Sequence, residues 1–296
     1  MKLPSSEQLS NAAKGIKHKL LAPEPDSRIY YINQLLANRR YEDPKCLTRY
    51  GCKIYSQTDE DGIIHEIFQR IGTTNKKFVE FGVGNGLENN TLALLFQGWS
   101  GLWIEGSKNY CAAIEQGFTQ TVQRGILRVE NAFITVENID EIITRNVKEP
   151  EIDLLSVDID GNDFHVYEAI RSVSPRVIVF EYNAKMGPFI RYCMRYNEQH
   201  TWNATDNFGM SLKFLEEKMR ARNYALVGCN LFGLNAFFVR CDLLEDKFLA
   251  PYTAEQHYET AKYNLGNYSN GHPASYRTLE ESILMQENVQ SRTTIT

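Results

Sequence analysis

Phe78-Val79-Glu80-Phe81-Gly82-Val83-Gly84-Asn85-Gly86 is an apolar run with one acid that closes on three alternating glycines. Glycines at a strand end permit a tight turn and let a ligand approach the backbone. Four similar runs follow: Leu102-Trp103-Ile104-Glu105, Ile126-Leu127-Arg128-Val129, Ile152-Asp153-Leu154-Leu155-Ser156-Val157 and Arg176-Val177-Ile178-Val179-Phe180. The five runs start at 78, 102, 126, 152 and 176, in steps of 24, 24, 26 and 24 residues. Helix-like segments fill the gaps, at 90–97, 107–116, 136–146 and 163–172. A strand, a helix and two turns need about 25 residues, so the chain is a series of βα units. Near-continuous apolar strands are buried on both faces, which predicts a doubly wound parallel sheet in the α/β class.

Helical patterns precede this series. Ser5 or Ser6 caps one carrying Leu9, Ala12, Ala13 and Ile16, and Asp26 caps another carrying Ile29, Ile32, Leu35 and Leu36. A third places Ile63, Ile64, Ile67, Phe68 and Ile71 on one face and ends at Gly72. After Glu181 the pattern turns irregular through residue 208. A helix over 209–222 follows, then apolar stretches at 224–227 and 236–240. Their connection is too short for a parallel crossover, so they pair as a hairpin and add one antiparallel strand. The tail is Tyr-rich, with no strong period, and looks frayed after about Asn288.

Composition narrows the class. The 296 residues carry 32 Lys and Arg against 37 Asp and Glu, a net charge of −5, with 43% hydrophobic residues. Such a chain folds around its own core, and nothing in its overall charge favours nucleic acid. No apolar run approaches a membrane span, and Met1 to Ser10 lacks the apolar centre of a secretion signal. Six scattered cysteines without a C-x-x-C read as buried, reduced thiols, so a cytoplasmic location is expected.

In an open α/β sheet, ligands bind beyond the carboxyl ends of the strands. The residues there are Glu80 with the Gly82–Gly86 loop, Glu105, Asn131-Ala132, Asp158-Ile159-Asp160-Gly161 and Glu181-Tyr182-Asn183. Glu105 stands 19 residues past Gly86, where an acid can accept from both ribose hydroxyls of an adenosine-type cofactor. The loop lacks the Lys-Ser/Thr ending of a phosphate-binding loop. Asp158 and Asp160, two apart, project the same way; with His165 and Glu181 they are the candidate catalytic bases. Asp158, Asp160 and Glu181 are also candidate oxygen ligands for a divalent metal such as Mg2+. The 158–163 loop is not an EF-hand, because neither its glycine nor a later Glu falls in place. Asp163 reads as the cap of the next helix. Residues 185–208 read as an acceptor-side lid, where Tyr192, Tyr196 and Trp202 stack on a sugar while Arg191 and Arg195 meet an anionic group; His200 belongs to the same loop, and Asn183 adjoins it.

This ordered set resembles the class I S-adenosylmethionine-dependent methyltransferases over about 78–240. The 78–86 and 156–163 stretches, Val179-Phe180-Glu181-Tyr182-Asn183, and Ser56-Gln57-Thr58-Asp59-Glu60-Asp61-Gly62 upstream further resemble the FkbM-like methyltransferases. Those usually carry Asp-x-Glu-Gly after the fourth strand, and here the second acid is the shorter Asp160. The resemblance implies a Rossmann-like, mostly parallel seven-stranded sheet with one antiparallel strand and helices on both faces. It implies S-adenosylmethionine as cofactor. Glu80, Gly82, Gly84, Asn85 and Gly86 then face its methionine end, Glu105 and Gly106 its ribose, and Asn131 with Ala132 or Phe133 its adenine. Gln57 and Asp61 fold over it, and Asp158 borders it. The domains expected are a helical extension over 1–54, a catalytic domain over 55–245 with a lid-like insertion over 184–208, and a Tyr-rich extension over 246–296.

The expected activity is O-methylation of a sugar, glycan or small metabolite. The rival readings are a nicotinamide-dependent oxidoreductase and a non-catalytic cofactor-binding protein. For the first, the third glycine comes one residue early for G-x-G-x-x-G, and Tyr182 to Lys185 lacks Tyr-x-x-x-Lys spacing. No Asp/Asn-Pro-Pro-Tyr/Phe occurs, which argues against DNA amino-methylation. The expected partners are a small-molecule or glycan acceptor and a second copy of the chain through the terminal extensions, with no nucleic acid and no membrane span.

Overall fold

The computed structural model describes residues 25–266 and 274–293. The helix expected around Leu9 to Ile16 lies outside them. The apolar runs form strands β1 (Lys77–Phe81), β2 (Ser100–Glu105), β3 (Leu127–Asn131), β4 (Glu151–Val157) and β5 (Ser174–Glu181). The expected hairpin is β6 (Tyr224–Cys229) and β7 (Asn235–Arg240). The sheet order is β3-β2-β1-β4-β5-β7-β6, with β7 antiparallel to both neighbours and the other pairs parallel.

Side-chain alternation divides the core in two. Val79, Phe81, Leu155, Val157, Ile178 and Phe180 face one layer, and Phe78, Trp103, Leu154, Val177 and Val179 face the other. Helices α1 (Pro25–Leu36) and α2 (Glu60–Ile71) precede the sheet, with α3 (Leu92–Leu95), α4 (Lys108–Gly117), α5 (Thr119–Gln123), α6 (Ile139–Asn146), α7 (Asp163–Ala169) and α8 (Leu212–Arg220) between strands. Ile63 and Ile67 of α2 and Ile114 of α4 cover the second layer. Ile142 of α6, Phe164 of α7 and Leu215 of α8 cover the first. Two short helices, α9 (Ala254–His257) and α10 (Tyr263–Gly266), lead into the tail.

Four expectations change. The tail, without a strong period in sequence, forms helix α11 (Tyr276–Thr293), which runs past Asn288, and its Leu279 and Ile283 are buried against the second layer. Its few buried residues, Leu279, Ile283 and Leu284, are too few to read as a period. Asp163 does not cap α7: it reaches backwards and accepts from Ile159 N and Gly161 N, both at 2.8 Å. Helix α3 is one turn long, because Asn89 Oδ1 accepts from Leu92 N at 2.9 Å and starts it late. All six cysteines are free, but Cys52 and Cys241 are exposed and Cys193 is half-buried. Among the described residues, no helix is long and apolar enough to cross a membrane.

The end of the sheet opposite the strand-end acids is locked by a buried pair. Asp153 accepts from Arg176 Nη1 at 2.6 Å and from the backbone N–H groups of Thr74, Asn75 and Lys76. Burial pushes its carboxyl up, but the guanidinium and these donors outweigh burial and hold it below the usual carboxylate value. Its stabilisation is present above the unfolded pKa near 4 and is lost as pH falls through the lower folded value. Arg176→Met strands this carboxylate and should cost about 3–5 kcal/mol in denaturant unfolding at pH 7. A loss below about 1 kcal/mol would show that the pair does not hold this end.

Candidate functional site

Strand order reverses between β1 and β4, and the loops leaving these strands meet there. Gly82 turns at φ +72°, and a Cβ on it would stand 1.8 Å from the Asp158 carbonyl oxygen. Only glycine lets the two loops come this close. Above the junction is a cavity of about 540 Å³.

Its walls are acidic. Glu80, Glu88, Glu105, Asp158, Asp160 and Glu181 line it, and among the described residues no Lys or Arg does. Glu105 accepts from Gly84 N and Ser107 N, each at 2.8 Å, which ties the glycine loop to the end of β2. Glu80 is buried and accepts from Asn90 N at 2.8 Å, Thr91 N at 3.1 Å and Thr91 Oγ1 at 2.5 Å. Trp103 Nε1 donates to that same hydroxyl. Burial nevertheless pushes the Glu80 carboxyl up to about 7. Glu80 therefore sets the loop before α3 as well as facing the cavity.

Asp158, Asp160 and Glu181 bring carboxylate oxygens within 4.8 Å of one another. Asp160 adopts φ +57°, a turn enforced by the two Asp163 hydrogen bonds. Burial, then repulsion from Asp163, Asp160 and Glu80, drives the Asp158 carboxyl well up. Burial, then Asp158, Asp163 and Asp160, does the same to Glu181. Burial raises Asp160 too, opposed by His200, whose Nε2 donates to the Asp160 carbonyl at 3.1 Å. Burial pushes Asp163 up to about 6.

Of the residues expected at the site, Gln57, Glu80, Gly82, Gly84, Glu105, Gly106, Ala132, Asp158, Asp160 and Glu181 line this cavity. Others stand behind it. Gly86 packs on Trp103 and Ile114, and the Asn85 carbonyl accepts from Tyr276 of α11 at 2.6 Å. Asn131 Nδ2 donates to the Glu105 and Gly106 carbonyls and joins β3 to β2, so Phe133 takes the cavity position beside Ala132. Asp61 Oδ2 gathers Ile54 N, Tyr55 N, Ser56 N and the Ser56 hydroxyl, and Asp61 lines a second cavity instead.

The candidate base His165 and the expected acceptor-side residues stand outside the cavity lining. His165 Nε2 donates to the Met194 carbonyl at 2.8 Å and anchors the segment. Asn183 Nδ2 donates to the Asp206 and Phe208 carbonyls. Arg191 is bonded to Glu217 of α8 through Nε and Nη2. Tyr192 OH donates to Asn207, Trp202 Nε1 donates to the Thr205 carbonyl, and Arg195 is exposed. None of these six lines the cavity, because local partners satisfy most of them first; His200 and Asn162 line it from this side. Asn89, Asn90, Tyr110 and Asn235 were also missed. The asparagines at 89 and 90 follow the glycine loop directly, which was a readable signal. Asn235 had none, since only the antiparallel β5–β7 register sets it opposite Glu181.

Residues 10–226, nearly three quarters of the chain, match the sequence model of the family described as Methyltransferase FkbM domain. The chain belongs to the FkbM methyltransferase family. Its seven-stranded sheet with one reversed strand is accordingly the Rossmann-like class I methyltransferase fold. Among solved structures, the methyltransferase is similar to the N-terminal domain of EvdMO1 with SAH bound, at 14% identity and TM-score 0.39, over 74% of this chain and 96% of that one. It is similar to the glycopeptide N-methyltransferase MtfA complexed with sinefungin, at 13% identity and TM-score 0.38, over 70% and 96%. A third is an S-adenosylmethionine-dependent methyltransferase from Clostridium acetobutylicum ATCC 824, at 11% identity and TM-score 0.38, over 63% and 92%. These distant likenesses add nothing to the family assignment. No curated protein matches the chain.

The acidic cluster makes stability depend on pH in this methyltransferase. Glu80 near 7 and Asp163 near 6 titrate above their unfolded values near 4, so the folded state binds more protons between those limits. Their effect is most favourable below about pH 4 and is lost as pH rises through about 7. The ligand-free melting temperature should therefore fall from pH 5.5 to pH 8. Asp158→Asn removes one repelling charge and should raise it at pH 8, by roughly 2–4 °C per kcal/mol relieved. A variant that melts lower than the parent at pH 8 contradicts this.

Proposed function

We propose that this methyltransferase uses S-adenosylmethionine and methylates a hydroxyl on a sugar, glycan or small metabolite. The observation that carries the reading is the cavity with six acids and no Lys or Arg at the switch point of the sheet. The cofactor carries a sulfonium and an ammonium, which such a wall attracts and which a basic wall would repel. When bound, it supplies an electrophilic methyl group. A nicotinamide dinucleotide brings a pyrophosphate instead, and the family assignment removes that reading.

The chain's own residues divide the work. Glu105 keeps lone pairs free after Gly84 N and Ser107 N, and these accept ribose hydroxyls. Tyr110 and Phe133, both about half exposed, offer ring faces to a purine. Burial raises the carboxyls of Asp158, Asp160 and Glu181, so an ionised member of the cluster is a stronger base than an ordinary carboxylate and takes the proton of an acceptor hydroxyl. The same three fit a divalent cation such as Mg2+ through oxygens, which would neutralise the cluster and polarise the acceptor oxygen.

Calorimetry with S-adenosylhomocysteine should show binding that Glu105→Ala weakens tenfold or more, as loss of a charge-assisted hydrogen bond worth about 1.5–3 kcal/mol requires. Absence of heat with either this product or S-adenosylmethionine, on folded protein, would remove the cofactor reading. Turnover is read as S-adenosylhomocysteine release against pooled glycan and metabolite acceptors. Asp160→Asn should lower it by about 10²–10⁴-fold with product affinity kept within a few-fold. Full turnover in this variant would clear Asp160 of any catalytic part.

A further inference from the structure

Asn89 lies on the loop between the glycine turn and α3, is 7% exposed, and lines the acidic cavity. Its Oδ1 accepts from Leu92 N at 2.9 Å and Thr91 N at 3.3 Å. Because the oxygen is consumed by backbone donors, the orientation of the amide is fixed. The Nδ2 is thereby left buried with no partner. A buried donor without an acceptor is costly, and here the residue that carries it lines the acidic cavity.

The cofactor of the proposed reaction poses a matching problem. It is cationic overall, but its amino-acid end carries a carboxylate. That anion must be held in a cavity lined by six acidic residues. Among the described residues no Lys or Arg lines the cavity, and the nearby Lys53 Nζ is held by the Gln57 carbonyl at 2.7 Å and by Glu88 at 3.8 Å, which leaves the N–H donors of the wall to receive the anion. The other buried amide nitrogens each already have an acceptor. Asn90 Nδ2 donates to Ser156 Oγ, Asn162 Nδ2 to the Asn197 carbonyl, and Asn235 Nδ2 to Glu60 Oε1. Asn235 does keep an unpartnered atom, but it is Oδ1, an acceptor, which suits an ammonium or hydroxyl and repels a carboxylate. Gln57 lines the cavity from an exposed position, where water competes for its amide.

We propose that Asn89 Nδ2 donates to the carboxylate of the cofactor's amino-acid end and that Asn89 is the residue that recognises this group. The proposal rests on the cofactor reading above. Glu80 acts through it: by holding Asn90 N, Thr91 N and the Thr91 hydroxyl, it fixes the loop that presents the amide. Burying Glu80 on a loop rather than on the ligand thus becomes useful. The acid shapes the stretch of wall that carries the unpartnered donor.

The test is calorimetry on the full chain with two probes. One is S-adenosylhomocysteine; the other is its decarboxylated analogue, which keeps the amine and loses the carboxylate. The parent should prefer S-adenosylhomocysteine by tenfold or more. Asn89→Asp keeps an oxygen for Leu92 N and Thr91 N but replaces the donor by an acceptor. It should weaken S-adenosylhomocysteine tenfold or more and change the analogue less than threefold, so that the preference disappears. Asn89→Ser, which also keeps a capping oxygen, should give the same pattern in milder form. A parent without preference, or variants that lose both probes equally, would overturn the assignment and leave Asn89 a structural cap. A parent that binds neither probe would instead overturn the cofactor reading.

Discussion

Carboxylates gathered at the ends of neighbouring parallel strands repel one another, and burial sharpens the repulsion. Asp158 and Glu181 end adjacent strands β4 and β5, with Asp160 two residues on and Asp163 beneath. Of the wall residues, His200 opposes this, at Asp160. The cluster persists because the rest of the sheet is firmly built and can bear a locally unfavourable site. A cationic ligand, a shared proton or a metal ion would relieve the repulsion.

Not every buried acid here is strained. Asp153 sits at the opposite end of β4 and is content: a guanidinium and three backbone N–H groups surround it. Asp163 and Glu80 fall between. Each collects backbone donors, and each is still raised, because no cation stands nearby. The contrast along one strand separates the two jobs a buried carboxylate can do. Where charge is matched, it holds the fold; where it is left unmatched beside a cavity, it serves the site.

The strand series, the glycine loop and the strand-end acids were legible because each is a local pattern with a fixed period or position. The 24-residue step requires only that a strand and a helix follow one another. The partners of the lid side chains were not legible, for the converse reason. Arg191 was given an anionic ligand, and it found Glu217 on α8. Which partner a long exposed side chain takes depends on what folding brings alongside, and no spacing rule encodes that. The tail was misread similarly. Tyr276 reaches the Asn85 carbonyl from far along the chain, and its ring fills the space that Gly117 leaves open.

By itself the sequence determined the doubly wound sheet, its reversed strand and the acids at the strand ends. Hydrophobic periodicity and turn residues act over a few positions, and a reader of the chain meets them directly. Only the tertiary structure decided which acids share one cavity, which are spent on loops, and which amides keep an unpaired atom. Those outcomes follow from hydrogen-bond competition in three dimensions. Asn89 and Asn235 are the same residue type, yet one is left a donor and the other an acceptor, because different neighbours reached them first.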